Sequence, residues 1–235
     1  MLSESFTKDN LDVYLKELAK EFKKLNGSAM PAEIVLVGGA AILSNYGFRE
    51  MTSDIDAVIH ATSAMKDAIN RVGDKFDLPR GWLNAEFTRT ASYSPKLDEI
   101  SVFYKSFYGV LTVRTVVAEY LIAMKLRSGR KYKNDLSDVM GILAEHDKRG
   151  TPITFEKIDE AVKKLYGGWN DFSIESKTFI EDAFKKGDFA KTYDSIKREE
   201  AEARDLLIDF TEGNPGAINE ANVNDILKCL KEKRK

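Results

Sequence analysis

Cysteine and histidine are nearly absent from this chain of 235 residues, which has one cysteine, Cys229, and two histidines, His60 and His146. A single cysteine excludes an internal disulfide framework and any cysteine-based metal cluster. Two histidines are too few for a histidine-ligated metal centre, so surface or structural places are expected for both. No sign of charge dominates either: 36 Lys and Arg stand against 38 Asp and Glu, a formal charge of −2. Nucleic-acid binding would therefore have to rest on a local patch. No apolar run approaches the roughly 18 residues that a membrane span needs. Residues 1–10 also lack the apolar core of a secretory signal, so a cytoplasmic protein with no membrane partner is expected. There is no internal repeat and no low-complexity segment. The 43% hydrophobic content is enough for a real core, in one large domain or two small ones.

The stretch from Ile34 to Ile59 is the one on which the chain is organised. Ile34 to Val37 is an apolar, β-branched run of the kind that a strand covered on both faces requires. Gly38-Gly39 ends it, and two residues without Cβ allow a sharp turn and the close approach of a ligand. Ala40 to Tyr46 reads as the start of a short helix, whose free N–H groups and dipole favour an anion. A second strand follows, with Ile55, Ala57 and Ile59 on one face and Asp54 and Asp56 on the other. Two carboxylates at i and i+2 beside an anion-binding turn suit a divalent metal that carries a polyphosphate. Neither Gly-Lys-Ser/Thr nor Gly-x-Gly-x-x-Gly follows the glycines, which argues against a P-loop or dinucleotide-binding enzyme.

Gly38-Gly39, a gap, and then Thr52-Ser53-Asp54-Ile55-Asp56 resembles the Gly-Gly/Ser…Asp-x-Asp signature of the polymerase-β-like nucleotidyltransferase superfamily. Within it, the stretch is most similar to AbiEii-type nucleotidyltransferases, which include toxins of toxin–antitoxin pairs. Trp82-Leu83-Asn84 resembles that group too, as does Glu119 to Lys125 followed by Arg130, Asp135 and Asp138. The likeness covers roughly residues 30 to 145.

The resemblance implies an α+β fold. A nucleotidyltransferase-like mixed sheet flanked by helices is expected over residues 1–145; the likeness does not extend beyond that, and the helical spacing of Phe155, Ile158, Val162 and Leu165, with further such stripes after it, leads to a helical C-terminal domain over 146–235. The resemblance also implies Mg²⁺ (or Mn²⁺) at Asp54 and Asp56, and an NTP whose phosphates meet Gly38, Gly39 and Ser53 (or Thr52). The reaction implied is transfer of an NMP to an RNA, protein or small-molecule acceptor, with a cognate antitoxin as a further partner. The superfamily places another carboxylate on a neighbouring strand, and Asp98 and Glu99 are the candidates here. Strand alternation over Glu99 to Tyr104 puts Glu99 on the less apolar face and favours it as a catalytic residue; the alternative is that both are exposed acids at a strand end. Loss of that acid would leave a catalytically impaired module that binds a nucleotide or a partner protein.

The rest of the chain reads as scaffold. Leu11, Tyr14, Leu15, Leu18, Phe22 and Leu25 mark a helix that ends at Asn26-Gly27. Ala64 to Phe76 reads as another. Trp82 either lines the cleft or plugs the core beneath a loop, and burial statistics favour the plug. Two strands, Glu99 to Tyr104 and Val110 to Arg114, form a hairpin, and a helix runs from Thr115 to Arg127. Lys125 and Arg130 belong to a basic cluster, which is either a solvated face or a contact to triphosphate or RNA phosphate. Asp135 and Asp138 read as helix-start acids that pair with Lys125 or Arg130. No strand signal appears after about residue 116, and Asn219 is positioned to cap a last helix.

Overall fold

The computed structural model describes residues 5–219 and 222–233. It is an α+β protein with one five-stranded mixed sheet, helices against the sheet and a helical C-terminal part. The described chain forms two compact units. The first comprises Met1–Met124 with Ile153–Asp171, and the second Lys125–Pro152 with Phe172–Lys235.

The first unit opens with α1 (Lys8–Asn26), and its start is set by a capping box. The Asn10 N–H donates to the Thr7 hydroxyl, and the Thr7 N–H donates to the Asn10 side chain at 2.8 Å. These bonds satisfy two of the N–H groups that a helix start leaves without partners. Leu11, Leu15, Leu18 and Phe22 fall on one stripe and are fully buried. The helix ends at Gly27, whose φ of 71° favours glycine.

The strands are β1 (Ala32–Leu36), β2 (Ile55–His60), β3 (Leu83–Asn84), β4 (Ser101–Phe107) and β5 (Leu111–Val116), in the spatial order β3-β2-β1-β5-β4. β1 lies at the centre, antiparallel to β2 and parallel to β5, and its Ile34, Val35 and Leu36 are fully buried. Between β1 and β2 runs α2 (Gly38–Asn45); α3 (Ala64–Phe76) follows β2 and packs against α1. Trp82, 2% exposed, is the core plug favoured by burial statistics, and its indole N–H donates to the Ile69 carbonyl at 3.0 Å. It packs with Phe6 and Tyr14, and its own carbonyl accepts the Ile55 N–H at 2.9 Å. The helix α6 (Phe155–Tyr166) completes this unit by strapping the segment before β4. The Tyr166 hydroxyl donates to the Ser92 carbonyl at 2.7 Å, and the Ser94 hydroxyl donates to the Leu165 carbonyl at 3.2 Å.

Several boundaries differ from the expected ones: α2 begins at Gly38 rather than Ala40, β2 begins at Ile55 so that Asp54 precedes the strand, and two more differ further along. Asp98–Ile100 is a turn of 3-10 helix, and β4 begins only at Ser101. The Glu99 N–H bonds the Lys96 carbonyl and the Ile100 N–H bonds the Leu97 carbonyl, so the alternation assumed for Glu99 does not apply. β5 also runs on to Val116, and α4 starts at Ala118 rather than Thr115.

The second unit holds the end of α4 (Ala118–Ser128), then α5 (Asp135–Lys148), α7 (Ile174–Lys186), α8 (Phe189–Gly213) and α9 (Val223–Lys233). Helix α5 runs through residue 145. Among the described residues no strand follows Val116. At the start of α5, Asp135 is fully buried and Asp138 is 3% exposed. Lys125 Nζ lies 2.8 Å from a carboxylate oxygen of each. Arg130 makes a two-pronged contact to Asp135 through Nε at 2.8 Å and Nη2 at 3.2 Å. Burial alone would raise the Asp135 pKa, but the Lys125 and Arg130 charges outweigh it and hold the carboxyl well below the usual range. The aspartates are therefore structural, as their spacing implied.

Glu200 of α8, 2% exposed, reaches the open N-terminus of the same helix. It accepts from the N–H groups of Leu136 (2.9 Å) and Ser137 (3.3 Å) and from the Ser137 hydroxyl. Burial dominates its pKa, which is pushed up to about 7. Asn219 exchanges capping bonds with Asn222 ahead of α9, as expected.

Candidate active site

β1 ends at Leu36, and Val37 is the N-cap of α2 without a side-chain capping bond. The first N–H groups of α2 therefore lack intrahelical partners, the arrangement that attracts an anion. β2 returns antiparallel beside β1, and the Val37 N–H donates to the Asp56 carbonyl at 3.0 Å. The second carboxylate of the Asp-x-Asp pair is thereby fixed next to the glycines.

Gly38 is favoured by its backbone conformation and Gly39 by its crowded surroundings. Gly38 has φ +56°, and a Cβ there would lie 3.6 Å from Asp56 Oδ2. A Cβ on Gly39 would come within 2.5 Å of the Thr52 hydroxyl and 2.9 Å of Arg49 Nη2, closer than atoms tolerate. The space beside Gly39 is thus filled by a hydroxyl and a guanidinium, both of which are phosphate-binding groups. Thr52 is pinned by a two-bond bridge to the buried Phe6, with N···O distances of 2.8 and 2.9 Å. That bridge ties the loop ahead of Asp54 to the aromatic cluster around Trp82.

Asp54 and Ser53 are exposed, and the Ser53 hydroxyl donates to Asp54 Oδ1 at 3.3 Å; Asp56 is half-buried. The fold therefore brings together Gly38, Gly39, Ser53, Asp54 and Asp56 among the expected residues. Asp54 and Asp56 are the residues that would hold a Mg²⁺ ion, a hard cation suited to carboxylate oxygens.

The third carboxylate is not delivered. Among the described residues no group of three or more His, Cys, Asp or Glu side chains is placed to hold a metal. Glu99 is two-thirds exposed and 3.8 Å from Lys164. Asp98 sits 2.9 Å from His60 at the far end of β2, and four residues of strand separate His60 from Asp56, ~13 Å. On β3, the residue in register with Asp56 is Asn84, an amide. Its Nδ2 donates to the Gly81 carbonyl at 3.2 Å and its Oδ1 accepts the Glu86 N–H at 2.9 Å, which locks its orientation. Lys125 and Arg130 lie in the second unit, committed to Asp135 as described.

Two residues of this site were missed on the sequence. Arg49 is the only basic residue between Gly38 and Asp56, and that isolation was a usable signal. Asn84 was quoted only as part of a short pattern, because the register of a two-residue strand leaves no periodicity to read.

No curated protein and no solved structure matches the chain. One family does, over residues 13–144, which include the glycine turn, the aspartate pair and Asn84, and its description is "nucleotidyltransferase of unknown function". By that match, and with the glycine turn and paired aspartates at one end of a mixed sheet, the chain belongs to the DUF6036 family of nucleotidyltransferases.

Proposed function

We propose that this protein transfers a nucleoside monophosphate from an NTP to an acceptor hydroxyl and releases pyrophosphate. The observation that carries this reading is the 3.6 Å between the Gly38 Cβ position and Asp56 Oδ2, which sets the phosphate turn against the carboxylate pair. Asp54 and Asp56 would hold Mg²⁺ or Mn²⁺, which supplies charge neutralisation of the triphosphate when bound. The open N–H groups of α2 and the Arg49 guanidinium bind the β- and γ-phosphates, and Thr52 and Ser53 offer hydroxyls to them. The acceptor oxygen bonds to the α-phosphorus, and the bond from that phosphorus to the bridging oxygen breaks. Pyrophosphate leaves with the electron pair, and the acceptor proton passes to solvent water, since Asp54 and Asp56 are engaged with the metal. The likeness to AbiEii-type proteins favours RNA or protein as the acceptor, a toxin role and a cognate antitoxin as partner.

A second reading rests on Asn84. With an amide beside Asp56 and no third acid at the pair among the described residues, the site can bind a nucleotide and metal without turning them over. Transfer of label from each of four α-³²P NTPs to total RNA and to protein separates the two. Incorporation by the intact chain that disappears in the Asp54→Ala/Asp56→Ala variant supports the transferase. Metal-dependent NTP binding without incorporation, with RNA, protein and small-molecule hydroxyls all offered, rejects it for the binding module.

A further inference from the structure

The outer edge of β2 is covered for only part of its length. The Val37–Asp56 bond makes 37/56, 35/58 and 33/60 the hydrogen-bonded pairs of β1 with β2. The N–H and C=O of Ile55, Ala57 and Ile59 therefore point away from β1. Ile55 finds the Trp82 carbonyl there, but β3 ends at Asn84, opposite Asp56. The backbone donor and acceptor of Ile59 have no strand partner on that side, where the 3-10 turn Glu86–Arg89 packs against β2.

A cavity of about 340 Å³ lies against this edge, inside the first unit. Its apolar walls come from Met65 and Ile69 of α3, from Ile59 itself and from Leu83. Asn70, also in the wall, is exposed, and its amide makes no hydrogen bond among the described residues. Lys66 is the one charged residue among those that line it. Asn84, the register neighbour of Asp56, forms one part of the wall, and Ile59, three strand residues or ~10 Å along β2 from Asp56, forms another.

The chemistry of this lining selects among ligands. A cationic acceptor such as an aminoglycoside needs carboxylates, and the cavity wall has none. A nucleic-acid backbone needs several cations, and the wall has one. A flat neutral heterocycle needs apolar contact and a donor–acceptor pair at its edge; the lining offers Ile59, Met65, Ile69 and Leu83 for the first and the Ile59 backbone and Asn70 amide for the second. We propose that this cavity is the nucleobase pocket of the incoming nucleotide, with the Ile59 N–H and C=O and the Asn70 amide meeting the edge of the base. The proposal rests on the nucleotide-transfer reading and adds to it where the base goes.

Isothermal titration of the full chain, in Mg²⁺, with an α,β-methylene NTP analogue and with inorganic tripolyphosphate tests it. Asn70→Trp and Ala61→Trp, both at exposed positions in the wall, fill the cavity with an indole. Each is expected to weaken the analogue about tenfold or more, roughly a 1.4 kcal/mol loss, while tripolyphosphate binding is unchanged. Retained tripolyphosphate affinity also reports that the variant is folded. Unaltered analogue binding in both variants overturns the pocket and leaves nucleotide binding at the glycine turn intact, as does weakened binding of an RNA acceptor alone. An intact chain that binds neither probe removes both the pocket and the reading beneath it.

Discussion

Replacing Glu200 by Gln should abolish a pH dependence built into the second unit. The Glu200 carboxyl is 2% exposed and serves as the N-terminal cap of α5 from a helix some sixty residues away. Burial, with the nearby Asp138 charge adding to it, raises its pKa from 4.5 to about 7, against the opposing bonds from Ser137 and Leu136. Because the folded state holds this proton more tightly than the unfolded chain, the stabilisation is complete below pH 4.5, declines as pH rises, and is lost above pH 7. The difference between 4.5 and about 7 corresponds to about 3 kcal/mol. Gln keeps an oxygen for the two N–H groups and carries no charge, so its stability curve should lack this slope. Urea unfolding followed by helical circular dichroism, in steps from about pH 5 to pH 8, measures it. Hydrogen exchange of the Leu136 and Ser137 amides localises the effect to α5. The natural chain should lose on the order of 3 kcal/mol across that range, and the variant should overtake it at the alkaline end. Parallel curves for the two proteins would refute the assignment of the buried proton to Glu200.

Gly39→Ala should cost roughly 1–3 kcal/mol of stability, the usual cost of overpacking, and weaken tripolyphosphate and NTP binding, because the new methyl displaces Arg49 or Thr52. Calorimetry reads it, and an unchanged affinity would mean that those side chains do not contribute. Lys125→Ala leaves Asp135 and Asp138 buried without their shared cation and should cost about 3–5 kcal/mol in urea unfolding. A loss below about 1 kcal/mol would show the pair to be hydrated rather than sealed. Trp82→Ala empties the cluster formed with Phe6 and Tyr14 and should cost about 3–5 kcal/mol. Its thermal midpoint would fall, and Asp54→Ala, at an exposed carboxylate, should leave that midpoint within a few degrees of the natural chain.

What could be read in the sequence was set by how many residues a feature repeats over. The α3 helix was placed residue for residue at Ala64–Phe76, because thirteen residues carry a clear stripe. The Gly38-Gly39 turn and the Asp54/Asp56 pair were legible, since each contrasts sharply with an apolar strand beside it. Glu99 was misplaced because a three-residue 3-10 turn has no period, and a strand that starts two residues later looks the same. Asn84 was opaque for a related reason: its role depends on being beside Asp56, and adjacency across strands is a tertiary fact. Arg49 fell between these cases, visible as an isolated charge but meaningful only once its guanidinium is seen to occupy the space beside Gly39.

The first unit is not one continuous length of chain, since Ile153–Asp171 belongs to it while Lys125–Pro152 does not. During synthesis, the sheet and both aspartates emerge well before the strap that α6 provides through Tyr166 and Leu165. At 5–20 residues per second, roughly two to ten seconds separate Met124 from Asp171. The segment before β4 waits unfastened for that interval. A nascent chain of this protein therefore carries the segment before β4 unfastened for some seconds, and a polypeptide cut at residue 145 would lack its strap altogether.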